Sequence, residues 1–239
     1  MDSLAERLGR VRDQIAQAAV TAGRSPDQVR LVAVSKTKPA SAIREAYAAG
    51  QRDFGENYVQ ELVAKAEELG DLADLRWHVI GHLQRNKTKL ALRYASVVHT
   101  VDSLRLAQDL GKRAADQPVS ETRRWFEPSD PRLAVLIEVN VAGEEQKTGC
   151  RPTELQGILE GIESAPALRL AGLMTVPPDT EDPAAALPFF DELVRLRERH
   201  GGPERLPELS MGMTHDLEQA IAAGATIVRV GTAIFGTRN

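Results

Sequence analysis

Short apolar runs rich in branched residues alternate with stretches of helical period along this chain, and that rhythm limits the fold more than anything else in the sequence. The runs are Arg30 to Lys36, Arg52 to Asn57, Arg76 to His82, Ser96 to Asp102, Leu133 to Asn140, Arg169 to Val176, Glu208 to Thr214 and Thr226 to Gly236. Stretches such as "SAIREAYAAG", "SLRLAQDLGKRA" and "HDLEQAIAAG" lie between them, several closed by glycine. Eight strands, each followed by a helix, within 239 residues are the arithmetic of a single (β/α)8 TIM barrel. A doubly wound open sheet is the competing arrangement and ranks behind it. Leu4, Leu8, Val11 and Ile15 add an extra amphipathic helix at about residues 3–22. One irregular stretch, about residues 115–131, carries three prolines with Trp125 and Phe126 and reads as a long loop on the barrel face opposite the chemistry. The expectation is one domain over residues 1–239.

With 42% hydrophobic residues the chain can bury one large core. A net charge of -4 argues against nucleic acid and anionic membrane as partners. "GHLQRNKTK" concentrates Arg85, Lys87 and Lys89, which a helix start with Asn86 as N-cap explains as solvated cations. The N-terminus is too charged for a signal peptide or a membrane span, and the single cysteine, Cys150, fits a reducing compartment as a small buried residue. A cytoplasmic monomer without a metal site is expected.

Barrel chemistry collects where strands end. Along "LAVLIEVN", Val135, Ile137 and Val139 take one face, suited to packing under helices, which turns Glu138 and Asn140 toward the axis. The same alternation sends His78 and His82 inward, and His78 reads equally as a mouth residue and as a satisfied interior histidine below the ligand layer. In the last strand it sends Ile227, Arg229 and Gly231 inward. His99 and His200 stand alone. Val32, Val34 and Lys36 share a parity, so a core-facing row ends on an ammonium. The upper mouth then holds Lys36, Asn57, His82, Glu138, Asn140 and Arg229, too many polar groups for a core. Gly231 and Thr232 after the eighth strand, with Ser210 and Gly212 at the seventh, suit a phosphate cup of backbone N–H groups and hydroxyls. A phosphate held opposite an imine-forming lysine indicates pyridoxal phosphate, or a phosphosugar in a Schiff-base aldolase.

The segments "AVSKTKP", "FGENYVQE", "WHVIGHLQRNK", "VHTVDS", "VLIEVNV", "KTGC", "GLMTV", "LSMGM" and "IVRVGTAIFG" occur in this order. Together they resemble, nearly end to end, the pyridoxal phosphate homeostasis proteins, also called the YggS or PROSC family. The resemblance implies a barrel like the N-terminal domain of alanine racemases, with pyridoxal 5'-phosphate carried as an imine on Lys36. It implies that Asn57, His82 and Met174 line the ring, that Ser210, Gly231 and Thr232 hold the phosphate beside Met211 and Gly212, and that Arg229 faces the pyridine nitrogen. The sequence departs from the family pattern around Trp125 and at "MTHDLEQAI", which leaves the polar detail near Thr214 and His215 open. Racemases and decarboxylases follow the barrel with a β domain, and this sequence ends at Asn239 directly after the eighth strand. The expected role is therefore storage, buffering and delivery of pyridoxal phosphate, with other B6 vitamers as further ligands and transient contacts with apo-enzymes. The alternative is a small racemase or decarboxylase. Lys147, in the polar loop "VAGEEQKTGC", is the candidate transfer lysine, an amine able to take over the bound aldehyde.

Overall fold

The structure, a computed structural model, describes residues 2–120, 124–127 and 129–237. Parallel strands β1 (Arg30–Val34), β2 (Asp53–Glu56), β3 (Arg76–Val79), β4 (Ala95–Val101), β5 (Leu133–Glu138), β6 (Leu168–Met174), β7 (Glu208–Ser210) and β8 (Ile227–Val230) close into a barrel in sequence order. Closure places β8 beside β1, with Arg229 opposite Val32. The enclosing helices include α1 (Leu4–Thr21), α2 (Ala40–Ala48), α3 (Val59–Glu68), α4 (Thr88–Ala91), α5 (Leu104–Ala114), α6 (Leu155–Glu163), α7 (Leu187–Arg199), α8 (Gly202–Arg205), α9 (Leu217–Ala223) and α10 (Thr232–Phe235).

Local chemistry sets the helix starts. The Ser3 hydroxyl accepts from Glu6 N at 3.2 Å while the Glu6 carboxylate accepts from Ser3 N at 2.7 Å, a capping box that contributes about 1 kcal/mol. It begins α1, whose buried face of Leu4, Leu8, Val11, Ile15 and Ala19 packs on α2, α9 and α10.

The alternation read from the sequence divides the core. Val135, Ile137, Val139, Val228 and Val230 lie in the outer layer against the helices. Val32, Val97, Ala134, Leu136, Ala171, Met174 and Ile227 form a separate cluster inside the barrel with Trp125, which meets His78 edge-on at 4.7 Å. The Arg30 guanidinium lies over that indole at 4.4 Å, so the loop after α5 plugs the barrel base. Residues 121–123 and 128 of this loop lie outside the described residues.

Most strands are shorter than the apolar runs suggested, chiefly at their C-terminal ends, because the polar residues there turn into loops, whereas β4 keeps its length one residue earlier. β8 stops at Val230, and Gly231 caps the helical turn α10 where the sequence reading continued the strand to Gly236. Asn86 does not act as an N-cap: it sits inside a 3-10 turn, Arg85–Lys87, whose cap position is Gln84.

Candidate functional site

The site is built where β1 stops. Lys36, half-buried, follows Val34 by two residues on the parity of inward-facing Val32. The backbone around it is braced from outside the barrel. Ser35 turns outward and donates through Oγ to Glu56 Oε1 at 2.6 Å. From α3, Lys65 Nζ reaches in to Ser35 O and Glu56 Oε1, both at 2.7 Å, and to Glu61 Oε1 at 2.9 Å. Glu61 Oε1 in turn accepts from Thr37 N at 2.6 Å. Thr37 has φ +64°, a left-handed conformation that costs a non-glycine residue about 1–2 kcal/mol. The residue after Lys36 is thus held in an unfavourable turn by a buried ion cluster. Burial pushes the Glu56 carboxyl above its usual range, against the pull of Lys65 and Ser35.

The mouth itself contains a cavity of about 250 Å³ lined by Asn57, His82, Glu138, Asn140, Lys147 and Thr148. A Cβ on Gly81 would lie 2.5 Å from Asn57 O, so glycine there lets the loops after β2 and β3 touch and brings Asn57 beside His82. His82 Nδ1 lies 3.2 Å from Asp102 Oδ2, with its side chain half exposed. Asn140 exchanges hydrogen bonds with the backbone of Glu144, closing the loop that carries Lys147. Glu138 Oε1 accepts from Thr148 at 2.7 Å, whereas Glu138 Oε2 is buried with no hydrogen-bond partner. Burial raises the Glu138 carboxyl above its usual range. A carboxyl with an unused oxygen facing a cavity suits a ligand that brings a donor.

Lys147 is more constrained than a free loop lysine. Its Nζ donates to Pro177 O at 3.0 Å and pairs with Glu144 at 3.2 Å, and it borders both the mouth cavity and a neighbouring one of about 700 Å³.

Beneath the mouth, Arg229 is buried at 4% exposure, yet its two hydrogen-bond acceptors are neutral: Ser210 Oγ at 2.7 Å and Thr175 O at 3.0 Å. Burial lowers its pKa to about 10, partly offset by the charges of Glu138 and Asp216.

Several expected site residues are placed differently from the sequence reading. Met211 packs in the outer layer between barrel and helices, because its parity is opposite to Ser210. Gly212 has φ +91°, and a Cβ there would meet Ala220 Cβ at 2.5 Å, so close helix packing accounts for this glycine. Met174, 1% exposed, is part of the interior cluster. The Ser210 hydroxyl points into the barrel toward Arg229 and His99. Gly231 and Thr232 remain at the mouth, with Thr232 exposed at the start of α10. They flank the end of β1 instead of facing it across the mouth, since a Cβ on Gly231 would lie 3.1 Å from Val34 O.

His99 does not stand alone: its ring is bonded to His78 at 2.9 Å and to Ser210 at 2.9 Å. Its shared parity with inward-facing Val97 was the available signal. The Glu56, Glu61 and Lys65 cluster also escaped the sequence reading, although Glu61 and Lys65 have i, i+4 spacing. Of the two readings of His78 the structure shows the satisfied interior one, and Cys150 is buried, its thiol pushed up to about 12 chiefly by that burial. Among the described residues no cluster suited to a metal ion occurs, and no helix is long and apolar enough to cross a membrane.

Residues 7–239 match the family model described as alanine racemase, N-terminal domain. The chain is 46% identical along its whole length to the pyridoxal phosphate homeostasis protein of Pseudomonas aeruginosa, covering 97% of that protein. The solved structure of PipY from Synechococcus elongatus PCC7942 with pyridoxal phosphate bound superposes with TM-score 0.82 at 38% identity, covering 98% of this chain and 100% of PipY. Histidine racemase from Leuconostoc mesenteroides shares the fold at 16% identity and TM-score 0.67, and only 57% of that longer chain is covered. The chain belongs to the alanine racemase N-terminal domain family and, within it, to the pyridoxal phosphate homeostasis proteins.

Proposed function

We propose that this protein binds pyridoxal 5'-phosphate at the barrel mouth through Lys36 and serves to hold and release the cofactor instead of turning over a substrate. The observation that carries this reading is the end-to-end match to a protein solved with pyridoxal phosphate bound, combined with a lysine at the end of β1 above a buried arginine. The residues fit the group. Pyridoxal phosphate supplies an aldehyde that condenses reversibly with a primary amine. Lys36 provides that amine, Gly231 N–H and the Thr232 hydroxyl hold the phosphate, and Asn57 and His82 border the ring. The unused oxygen of Glu138 accepts from a ligand hydroxyl. Arg229, a fixed cation below the mouth, would disfavour protonation of the pyridine nitrogen and so weaken the electron sink that racemisation or decarboxylation needs.

Release needs a second amine within reach while the phosphate is still held. Lys147 borders the mouth cavity lined by Asn57, His82 and Glu138 and takes that part. Other B6 vitamers and apo-enzyme acceptors are the expected partners of this exchange.

The absorption spectrum of the purified protein loaded with pyridoxal phosphate, before and after borohydride reduction, followed by peptide mass analysis, tests the reading. A visible band lost on reduction, with the adduct on Lys36, is expected. An adduct mainly on Lys38 or Lys147 refutes the assignment of Lys36, and turnover across a panel of D- and L-amino acids refutes the non-catalytic role.

A further inference from the structure

A continuous row of side-chain hydrogen bonds runs down the barrel interior from the floor of the mouth to the base. Arg229 Nη1 lies 2.7 Å from Ser210 Oγ, Ser210 Oγ 2.9 Å from His99 Nδ1, His99 Nε2 2.9 Å from His78 Nδ1, and His78 Nε2 3.1 Å from Asp53 Oδ1. Arg76 closes the lower end, donating to both oxygens of Asp53 at 2.6 and 2.8 Å. The members come from β8, β7, β4, β3 and β2, and the four between the arginines are all at most 8% exposed.

The lower end sets the protons when both rings are neutral, the form that burial favours. Asp53 is a carboxylate that only accepts, so His78 carries its proton on Nε2 and its Nδ1 is bare. That nitrogen accepts from His99 Nε2–H, which leaves His99 Nδ1 bare to accept the Ser210 hydroxyl proton. Arg229, which only donates, takes a lone pair of Ser210 Oγ, so the upper end is compatible with this order. Both rings are then of one tautomer.

The surroundings hold this state. His78 faces His99, Asp53, Arg76, Arg30 and the Trp125 edge, and His99 faces His78, Ser210 and Arg229. Burial and the neighbouring cations press both rings toward the neutral form, with Asp53 pulling His78 the other way. Asp53 stays ionised because hydrogen bonds from Arg76 and His78 outweigh its burial.

We propose that His99, His78 and Asp53 are positioning residues for Arg229, and that Ser210 belongs to this relay and not to the phosphate cup. The role assigned to Arg229 rests on the pyridoxal phosphate reading above; the proton order does not. With its hydroxyl proton committed to His99 and a lone pair committed to Arg229, Ser210 offers no side-chain donor to a phosphate. The relay keeps the guanidinium at one height under the mouth, which fixes the electrostatic environment of whatever ring binds there.

Two measurements test this. In the ligand-free wild-type protein at about pH 7.5, ¹⁵N NMR of the histidine rings should show His78 and His99 as neutral Nε2–H tautomers, each protonating only below the ordinary imidazole range. An Nδ1–H tautomer for His99, or protonation of either ring at or above the ordinary imidazole value, overturns the relay. With ligand, Ser210→Ala and His99→Phe should each weaken pyridoxal phosphate and unphosphorylated pyridoxal by the same factor and alter the pH profile of the visible band, with His99→Gln restoring most of that profile. Thr232→Val should instead weaken only the phosphorylated ligand, about tenfold or more. A selective loss of pyridoxal phosphate in Ser210→Ala overturns the assignment of Ser210. Wild-type protein that takes up neither ligand would overturn the cofactor reading, while the ring tautomers would still report on the relay.

Discussion

Replacing Lys65 by methionine removes the cation from the cluster behind Lys36 while keeping most of the buried stem. The wild-type ammonium has three acceptors, and they lose unequally. Ser35 O keeps Lys38 N at 3.0 Å, and Glu61, with a quarter of its side chain exposed, is rescued by solvent. Glu56 is different: its side chain is fully buried, Oε2 has no partner, and Oε1 would retain only the Ser35 hydroxyl. Breaking a buried pair by removing one partner costs about 3–5 kcal/mol. Glu56 can escape part of that by taking up a proton. Against an ordinary value of 4.5, being protonated at pH 7 costs about 3.4 kcal/mol, which caps the penalty. The wild type already bears some of this cost, because burial raises Glu56 there too. A loss below about 3.4 kcal/mol at pH 7 follows.

The sign of the pH dependence is fixed by the same residue. A carboxyl raised in the folded state contributes stability at acid pH that is lost as pH rises through its folded value. The folded chain binds the extra proton, so stability falls by about 1.4 kcal/mol per pH unit over the window above 4.5. Without Lys65 that window extends further upward. Urea unfolding of wild type and Lys65→Met at about pH 5.5, 7 and 8 should show a difference below about 1.4 kcal/mol at the lowest pH that grows as pH rises. The double variant Glu56→Gln with Lys65→Met should regain most of the loss and flatten the dependence. A difference that is constant with pH, or largest in acid, would refute the assignment of the cost to Glu56.

Cys150, with its thiol pushed up to about 12 by burial, should resist iodoacetamide at pH 8 in the folded protein and react fully in urea; rapid labelling of the native chain would contradict its packing. Gly81→Ala drives a Cβ to 2.5 Å from Asn57 O, which backbone cannot readily vacate, so unfolding should show a loss of about 1–3 kcal/mol together with weaker pyridoxal phosphate binding. Lys147→Ala should leave equilibrium binding within about twofold but slow transfer of the cofactor to an apo-enzyme or a small amine trap. Unchanged transfer kinetics would reduce Lys147 to its structural bonds with Pro177 and Glu144.

The barrel was legible in the sequence because its two layers obey the alternation of a strand. Val135, Ile137 and Val139 against Glu138, and Val228 and Val230 against Arg229, separate by parity alone, and the structure keeps both separations. Parity says which way a side chain points and nothing about what it meets. Ser210 illustrates the gap: inward and two residues before a glycine, it reads as a phosphate donor, but the interior places an arginine and a histidine against its hydroxyl. His99 shows the converse, since a histidine without sequence neighbours of its kind finds its partners from strands β3 and β7, 21 and 111 residues away. The support for Lys36 was hidden for a third reason. Glu56 and Lys65 face away from the mouth, and their influence reaches it only through Ser35 and the left-handed turn at Thr37. A motif such as "AVSKTKP" thus marks the lysine, while the groups that fix its geometry lie on the opposite parity and on the next helix. In a barrel, where each strand is held by two neighbours and covered by helices, the residues that aim a functional side chain are therefore to be sought behind its strand as much as beside it.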